Sequence, residues 1–450
     1  MLRKKLMIML VLILSAGLIA ACGSSNEKEN KAPNSLEGSN EEAVPEENVQ
    51  LEEQFEDVTI TFGIRESYFN AEEFQRYIAE PTKEMYPHIT VEPIWINQPD
   101  YSLDNLIVTG QLPDIVAGNT VSLAATKAYG FHMDITELIE KHQFDLDRLK
   151  PFVIDAMKKV NGTDYLIGFP YTMHFNALYY NKDIFDRFGV DYPTDGMTWF
   201  EVIELAKQVT RMDEGIQYRG LEPDSVYRAG SHLSLPVIDP ETDKSLINTD
   251  EWARVYSMVK SIYDIPGNGT VQVYSAGARA FTEGNLAMLA QLNIFGFIEE
   301  VKDEFTNWDM VSYPVWPEAP TAGTQIDAHL AMITSTSKNK DDAFRVLEAV
   351  LSDEAQMRMA KYARLGVLKG EQFQDNFGTA YDFLEGKNLA AVFKTEPAVP
   401  TETPSIYFNL SEITNSMRTI VEENLDINTA LRQLEEQMNQ RIAEEKMANN

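Results

Sequence analysis

The strongest restriction on the fold comes from short apolar runs that alternate with stretches of helical composition. Residues 58–62 alternate apolar and polar side chains as a strand does, and residues 89–95 form a second predicted strand. Residues 71–80, between them, have helical composition. A buried strand predicted at 112–117 is followed by a loop predicted at Gly118 and Asn119. Strands separated by helices pair in parallel, so the sequence predicts an α/β protein with a doubly wound sheet.

Helix signals recur along the rest of the chain. Thr198 and Glu201 fit a capping box, in which the two side chains bond each other's backbone N–H groups. This box begins a helix predicted to run to about residue 210. Further helices are predicted at 251–263, 340–352, 353–362 and 427–447. The last carries apolar residues at 431, 434, 438 and 442, a spacing that predicts a core-facing stripe.

The N-terminus is typical of a secreted protein. Three basic residues at 3–5 precede an apolar run over 6–21, which is shorter than the roughly 20 residues that span a bilayer comfortably. The run ends in Ile-Ala-Ala before Cys22 and resembles the bacterial lipobox, in which cleavage leaves the cysteine carrying a diacylglycerol. The resemblance implies a signal peptide at 1–21 and lipidation of Cys22. Because Cys22 is the single cysteine, an internal disulfide framework is excluded.

The segment that follows is acidic. Residues 23–57 hold eleven acidic residues and two lysines with few large apolar side chains, which predicts a disordered tether over 22–57. The whole chain has 38 Lys and Arg against 70 Asp and Glu, a net charge of −32. Phosphate backbones need clustered positive charge, so a nucleic-acid partner is excluded. The body is expected to lie at the extracytoplasmic face of the membrane, held there by the lipid.

Motifs for catalysis and cofactors are missing from the sequence. It contains no Gly-x-Ser-x-Gly elbow, no His-Glu-x-x-His helix, and neither of the glycine-rich nucleotide motifs. The six histidines are scattered, so a zinc site is not expected, and no cofactor is implied. A length of 450 residues suits two or three domains, and a bilobal body is expected.

A series of stretches in fixed order resembles the family 1 extracellular solute-binding proteins of ATP-driven importers, which include the maltose-binding type. The series is LPDI at 112–115, YLIGFP at 165–170, LYYNKDIF at 178–185, MTWFE at 197–201, FTEGNLAM at 281–288 and STSKNKDDAF at 335–344. The resemblance implies a two-lobed, type II periplasmic-binding-protein-like fold with a cleft between lobes that close by hinge motion. Lobe 1 would comprise 58–172 and 318–370, and lobe 2 would comprise 173–317 and 371–450. Crossings are expected near 171–174, 313–317 and 365–371.

The resemblance also implies a function. The chain would be a lipid-anchored monomer that captures a mono- or oligosaccharide and delivers it to the transmembrane subunits of an ABC permease, without covalent chemistry. Two alternatives remain open: the same fold binding a peptide or polyamine, and a surface-anchored enzyme that degrades carbohydrate with a pair of carboxylates.

Sugar recognition needs fixed polar side chains beside flat aromatic rings. Carried over from the family by position, the expected ligand-binding residues are Arg65, Glu66, Asn119, His174, Asp224, Tyr227, Gln291, Asn293, Phe295 and Tyr407. Some have a structural alternative. Arg65 and Glu66 could pair on the surface, His174 could be a satisfied core histidine, and Asn293 could form a turn. Phe295 stands near the position where the family often has a stacking Trp, and it is either a replacement ring or part of the core.

Overall fold

The computed structural model of the protein describes residues 55–400 and 403–448. The predicted signal peptide, Cys22 and the tether up to residue 54 lie outside the described residues. The described strands are β1 Val58–Ile64, β2 Ile89–Trp95, β3 Ile115–Asn119, β4 Phe169–Met173, β5 Asn176–Asn181, β6 Arg211–Asp213, β7 Ile216–Glu222, β8 Leu286–Leu292, β9 Trp308–Ser312, β10 Ala322–Gln325, β11 Ala328–Ile333 and β12 Glu396–Ala398.

Helices connect these strands and cover the sheets. They are α1 Ala71–Phe74, α2 Glu80–Met85, α3 Leu103–Val108, α4 Leu123–Lys127, α5 Thr136–Lys141, α6 Pro151–Asn161, α7 Lys182–Phe188, α8 Trp199–Val209, α9 Val226–Gly230, α10 Asp250–Tyr263, α11 Ser275–Thr282, α12 Phe295–Glu299, α13 Lys340–Val350, α14 Asp353–Lys361, α15 Glu371–Asp375, α16 Leu410–Glu422 and α17 Ile427–Ala448. Among the described residues, none of these helices combines the length and the apolar character needed to cross a bilayer.

Two five-stranded sheets form the framework. The first has the order β2-β1-β3-β11-β4, and the second has the order β6-β7-β8-β5-β9. The prediction of parallel pairing is confirmed where β1 pairs with β2 and β3. β11, a strand that the sequence analysis did not predict, runs antiparallel to β3 and β4. The reason is the route of the chain: β11 follows β9 of the second sheet and then β10, which pairs with β12, instead of a helical crossover, so it enters the first sheet from the opposite end.

Local signals placed most elements correctly. The capping box is confirmed, since the Glu201 carboxylate accepts from the Thr198 N–H at 2.8 Å and the Thr198 hydroxyl accepts from the Glu201 N–H at 3.3 Å. The apolar stripe of α17 is buried as predicted. The helix predicted at 71–80 is interrupted by a π-helical turn, Gln75–Ala79, that joins α1 to α2. Asn119, predicted to be in a loop, is instead the last residue of β3 and pairs with His329.

The chain passes from the first sheet to the second over two residues. β4 ends at Met173 and β5 begins at Asn176, so only His174 and Phe175 separate strands of different sheets. The return passage precedes β11, and the two passages touch where the His174 N–H donates to the Asp327 carbonyl at 2.8 Å. Side chains from both sheets therefore meet at this point.

Candidate functional site

Polar side chains of both sheets converge where the two passages touch. Tyr68 follows β1, His329 lies on β11, Asp224 follows β7 and Gln291 lies on β8. Open α/β sheets present their functional loops at the strand ends, which is where most of these residues stand. We call this group the central polar cluster. Its members are Tyr68, His174, Asp224, Tyr227, Arg228, Gln291, Asp327 and His329.

His174, in the passage between the sheets, contacts His329 of β11 in the central polar cluster. The Nε2 atoms of His174 and His329 lie 3.1 Å apart, and the Tyr68 ring stacks on His329 with a centroid distance of 4.0 Å. Burial lowers the pKa of both histidines, and for His174 the Asp327 carboxylate opposes this shift. A neutral imidazole has one donor and one acceptor nitrogen, so two neutral rings can share this hydrogen bond.

Asp224 holds the second-sheet side of the cluster together. Its carboxylate accepts from Arg228 Nε at 3.0 Å, from the Tyr274 N–H at 3.0 Å and from the Gln291 amide at 3.4 Å. Burial raises the pKa of Asp224, and Arg228 opposes that shift. Asp224 and Tyr274 have φ of 61° and 53°, in the left-handed region that non-glycine residues rarely adopt. Such conformations cost about 1–3 kcal/mol each and persist where surrounding contacts hold them.

Asp327 faces groups of both sheets. Burial raises the pKa of Tyr68, and it raises the pKa of Tyr227 to about 12; the Asp327 carboxylate adds to both shifts. Burial favours a lower pKa for Arg228, but Asp224 and then Asp327 raise it. The Tyr227 hydroxyl donates to the Gln325 side chain at 3.0 Å. The Asp327 carboxylate thus interacts electrostatically with Tyr68 of the first sheet and with Tyr227 and Arg228 of the second.

Several buried polar atoms around this point have no hydrogen-bond partner among the described residues. They are Tyr171 Oη, Asn176 Oδ1, Gln291 Oε1, Tyr313 Oη, Asp327 Oδ1 and His329 Nδ1. Leaving such an atom unsatisfied costs about 1–3 kcal/mol. A ligand rich in hydroxyl groups could satisfy both donors and acceptors of this set.

Two cavities flank His174. One has a volume of about 330 Å³, and its lining includes Asn176, Tyr313 and Gln325. The other has a volume of about 540 Å³, and its lining includes Asn293 and Arg364. Space for a small molecule therefore exists on both sides of the passage between the sheets.

A second buried group lies behind Asp224, and we call it the ion-pair cluster: Arg219, Glu222, Tyr263, Asn268 and Gln272. Glu222 Oε2 accepts from Arg219 Nη2 at 2.7 Å and from the Gln272 N–H at 3.2 Å, and Tyr263 donates to Oε1. Burial raises the pKa of Glu222 to about 8, although Arg219 opposes the shift. These bonds fix the loop before α11, so Tyr274 reaches Asp224.

The structure brings four expected residues together and distributes the others. His174, Asp224, Tyr227 and Gln291 belong to the central polar cluster. Asn293 lines the larger cavity, and its side chain also accepts from the Phe295 N–H at 2.9 Å, as in a turn. The Asn119 side chain caps the turn after β3 by accepting from the Ser122 N–H at 2.9 Å.

Arg65 and Glu66 are exposed, and no ion pair joins them in the described part of the chain. Phe295 is 3% exposed and belongs to the core, and it also lines the larger cavity. It begins α12, and its ring packs against other aromatic rings of the core, namely Phe175, Tyr179, Trp308 and Phe383. Tyr407 lies beneath the Lys446 ammonium of α17, whereas its neighbour Phe408 contacts the Tyr227 ring at 5.5 Å.

Sequence reasoning missed Tyr68, Arg228, Tyr274, Asp327 and His329. The available signal was the pair of polar residues on either side of Ala328, at the beginning of the otherwise apolar run that forms β11. No sequence signal identified Tyr274. The structure marks it by its exposed fraction of 39% beside buried polar groups and by its left-handed φ.

Comparison with known proteins gives the context of this site. The model of bacterial extracellular solute-binding proteins matches residues 70–357. The sugar-binding protein MalE of Xanthomonas citri aligns over 87% of this chain and 99% of its own, with a TM-score of 0.66 and 17% identity. An ABC substrate-binding protein of Listeria monocytogenes, solved with cycloalternan, aligns over 86% of this chain and 99% of its own, with a TM-score of 0.67 and 19% identity.

Curated relatives match over a shorter stretch. The sn-glycerol-3-phosphate-binding periplasmic protein UgpB of Brucella abortus (strain 2308) is 36% identical over 95 residues, which is 21% of this chain and 21% of that protein. The chain thus spans about a fifth of the length of the curated relatives it matches.

Proposed function

Because this chain belongs to the family of bacterial extracellular solute-binding proteins, we propose that it captures a mono- or oligosaccharide and delivers it to the permease of an ATP-driven importer. The observation that carries the proposal is the set of buried, unpartnered polar atoms contributed by both sheets within the described residues. Saccharide hydroxyls both donate and accept, which matches a set containing imidazole, carboxylate, amide and phenol atoms. The neighbours named for sugar binding or solved with cycloalternan support the same ligand class.

Capture would proceed by closure of two lobes about the passages between the sheets. The proposed lobes are 58–172 with 318–370, and 173–317 with 371–450. Their support is that each five-stranded sheet takes its strands from one of these sets, apart from Met173 at the boundary, whereas the two-stranded sheet of β10 and β12 takes one strand from each set. Short passages that contact each other suit a hinge, because few residues need to change conformation. Scattering profiles with and without ligand test closure: a smaller radius of gyration with ligand is expected.

The proposal includes the location of the protein. Cleavage of residues 1–21 and lipidation of Cys22 would hold a monomer at the extracytoplasmic face of the membrane, beside the transmembrane subunits of the permease. Radioactive palmitate should label the wild type in the membrane fraction, and Cys22→Ser should lose the label and appear in the medium. Label retained by the serine variant would refute the anchor.

A thermal-shift screen of the purified protein tests the ligand class. Neutral mono- and oligosaccharides such as mannotriose and cycloalternan should include at least one that stabilises the protein, and the ligand should be recovered unchanged. His174→Ala should lose the stabilisation, whereas Phe200→Ala, a change of an exposed ring on α8, should keep it. Recovery of cleaved glycan would instead support a carbohydrate-degrading enzyme.

A further inference from the structure

We propose that the smaller of the two cavities beside His174, about 330 Å³ in volume, is a second binding site that takes a small organic anion, either a carboxylate or a phosphate ester. The site is separate from the one proposed for the saccharide, because His174 is the one member of the central polar cluster in its lining. Much of its wall comes instead from the start of α6, from the segment 365–374 and from β10 and β12.

A buried lysine without an ion pair brings positive charge to this cavity. Lys150 lines the cavity, and its ammonium donates to the Gly366 carbonyl at 2.8 Å. An ammonium has three donors, so two of them remain without a partner in the described ranges. Burial lowers the pKa of Lys150 to about 8, and an anion beside the ammonium would oppose that shift.

Two further charged residues line the cavity and have opposite signs. Lys369 and Glu396 are both exposed, where water screens their charges. The ion pairs that lysines form within the described part of the chain involve neither Lys369 nor Lys150. The less screened charge in the lining is therefore the positive charge of Lys150.

The N-terminus of α6 lies at the same cavity. Lys150 is the N-cap residue, and no side chain caps this end of the 11-residue helix. Pro151 and Phe152, the first two residues of α6, also line the cavity. The free N–H groups of a helix N-terminus carry a partial positive charge that stabilises an anion.

A buried hydroxyl supplies another donor. Tyr313 is 2% exposed and lines the cavity, and its Oη atom has no partner among the described residues. Burial raises the pKa of Tyr313, so the hydroxyl keeps its proton and can donate to an oxyanion. Asn176 Oδ1, which also lacks a partner there, can only accept, so it suits a hydroxyl elsewhere on the ligand. Apolar side chains such as Phe152, Val392 and Phe393 favour an organic molecule over a bare inorganic ion.

Calorimetric titration of the purified protein with three matched probes tests the site. The probes are sn-glycerol 3-phosphate, glycerate and glycerol, which share a three-carbon frame and carry a phosphate, a carboxylate or no charge. The wild type should bind at least one of the two anions with a Kd below about 1 mM, and the tighter anion identifies the oxyanion that the site prefers. Glycerol should bind at least about 10-fold more weakly, because it lacks the charge that the Lys150 ammonium attracts.

Variants of the two lysines locate the anion. Lys150→Met should bind it at least about 10-fold more weakly, and Lys369→Met, which removes an exposed charge, about 3-fold more weakly. Lys127→Met is the matched control, since Lys127 is also half-buried, donates to the Asn161 carbonyl and lines neither cavity beside His174. The control should leave the anion affinity unchanged.

A saccharide from the thermal-shift screen tests whether the two sites are separate. At saturating saccharide the apparent Kd of the anion should reach a plateau, because both ligands bind at once. The second site is refuted if neither anion binds more tightly than glycerol, if Lys150→Met loses no more affinity than Lys127→Met, or if the Kd of the anion keeps rising in proportion to the saccharide concentration. If no saccharide binds, saccharide capture fails, whereas the titrations of the lysine variants still decide the anion site.

Discussion

The ion-pair cluster of the second sheet and the central polar cluster, which both sheets form, differ in how completely their atoms are paired. In the ion-pair cluster, both oxygens of Glu222 have donors, and Arg219 donates to Glu222, Gln272 and the backbone of the same loop. In the central polar cluster, Asp327 and His329 each keep a buried atom without a partner in the described part of the protein. The two clusters are only a few residues apart, because β7 carries Glu222 and leads directly to Asp224.

This difference separates a structural role from a binding role. A fully paired buried network rigidifies the fold. In a partly paired network the unsatisfied polar atoms destabilise the protein, and a polar ligand can stabilise it by forming hydrogen bonds with them. The ion-pair cluster forms hydrogen bonds with the loop that carries Tyr274, and the Tyr274 N–H donates to Asp224 of the central polar cluster. Changes to the first should therefore alter stability, and changes to the second should alter affinity.

The largest effect is expected for Arg219→Met. Above pH 8, where Glu222 with its pKa of about 8 is ionised, removing Arg219 leaves a buried carboxylate without its cation, and the free energy of unfolding should fall by about 3–5 kcal/mol. Urea denaturation followed by circular dichroism measures it, and the Kd for the saccharide should be unchanged in the folded protein. Tyr263→Phe, which removes one donor, should cost about 1 kcal/mol. A loss of similar size in both variants would contradict the assigned role of Arg219.

Stabilisation by the ligand should be kept when the ion-pair cluster is changed and lost when the central polar cluster is changed. A saccharide at about 100 times its Kd should raise the free energy of unfolding of the wild type by about 2.7 kcal/mol. Arg219→Met should gain the same increment at 100 times its own Kd, because its binding groups are intact. His329→Ala should gain little at that ligand concentration, since it lacks the ring that bonds His174. Full stabilisation of His329→Ala would show that the ligand does not bind at the central polar cluster.

The ion-pair cluster should also make stability depend on pH. The pKa of Glu222 is raised from 4.5 to about 8 by burial, so the folded state binds a proton more tightly than the unfolded state does. Its contribution to stability is complete below pH 4.5 and is lost as pH rises through 8. The slope should reach about 1.4 kcal/mol per pH unit. Denaturation at several pH values measures it; Glu222→Gln should lack this component, and an unchanged slope would refute it.

The smallest expected effect is a gain in stability. Tyr313 is fully buried, and its hydroxyl has no partner within the described residues, so Tyr313→Phe should raise the free energy of unfolding by about 1 kcal/mol. Tyr256→Phe is the matched control, because the Tyr256 hydroxyl bonds Ser416 at 2.8 Å and its removal should destabilise by a similar amount. Equal losses in both variants would show that Tyr313 has a partner.

Sequence reasoning worked where the signal was local. The capping box of Thr198 and the stripe of α17 depend on residues three or four positions apart, and both were found. His174 was recognised as a polar residue within an apolar stretch, and it lies in the central polar cluster. Asp327 and His329 were missed because their partners are distant in sequence: His174 and His329 are 155 residues apart.

The surroundings of aromatic residues also depend on contacts between residues that are distant in sequence. Phe295 and Tyr407 were assigned to the ligand from their positions in the chain; Phe295 packs among core rings and also lines the larger cavity, and Tyr407 contacts α17. Tyr68 and Tyr274, which were not assigned, contact His329 and Asp224. Whether a ring faces the core or a polar cluster depends on the packing of helices and strands that are not its neighbours in sequence.

The sequence alone determined the α/β class, the helix starts and the alternation of strands with helices, because backbone preferences and side-chain periodicity act over a few residues. Tertiary structure alone decided that β11 runs against β3 and that Asp327 meets His174 where the chain passes between the sheets. The physical reason is that strand direction and hydrogen-bond pairing follow the path of the chain through space, which joins residues separated by more than a hundred positions.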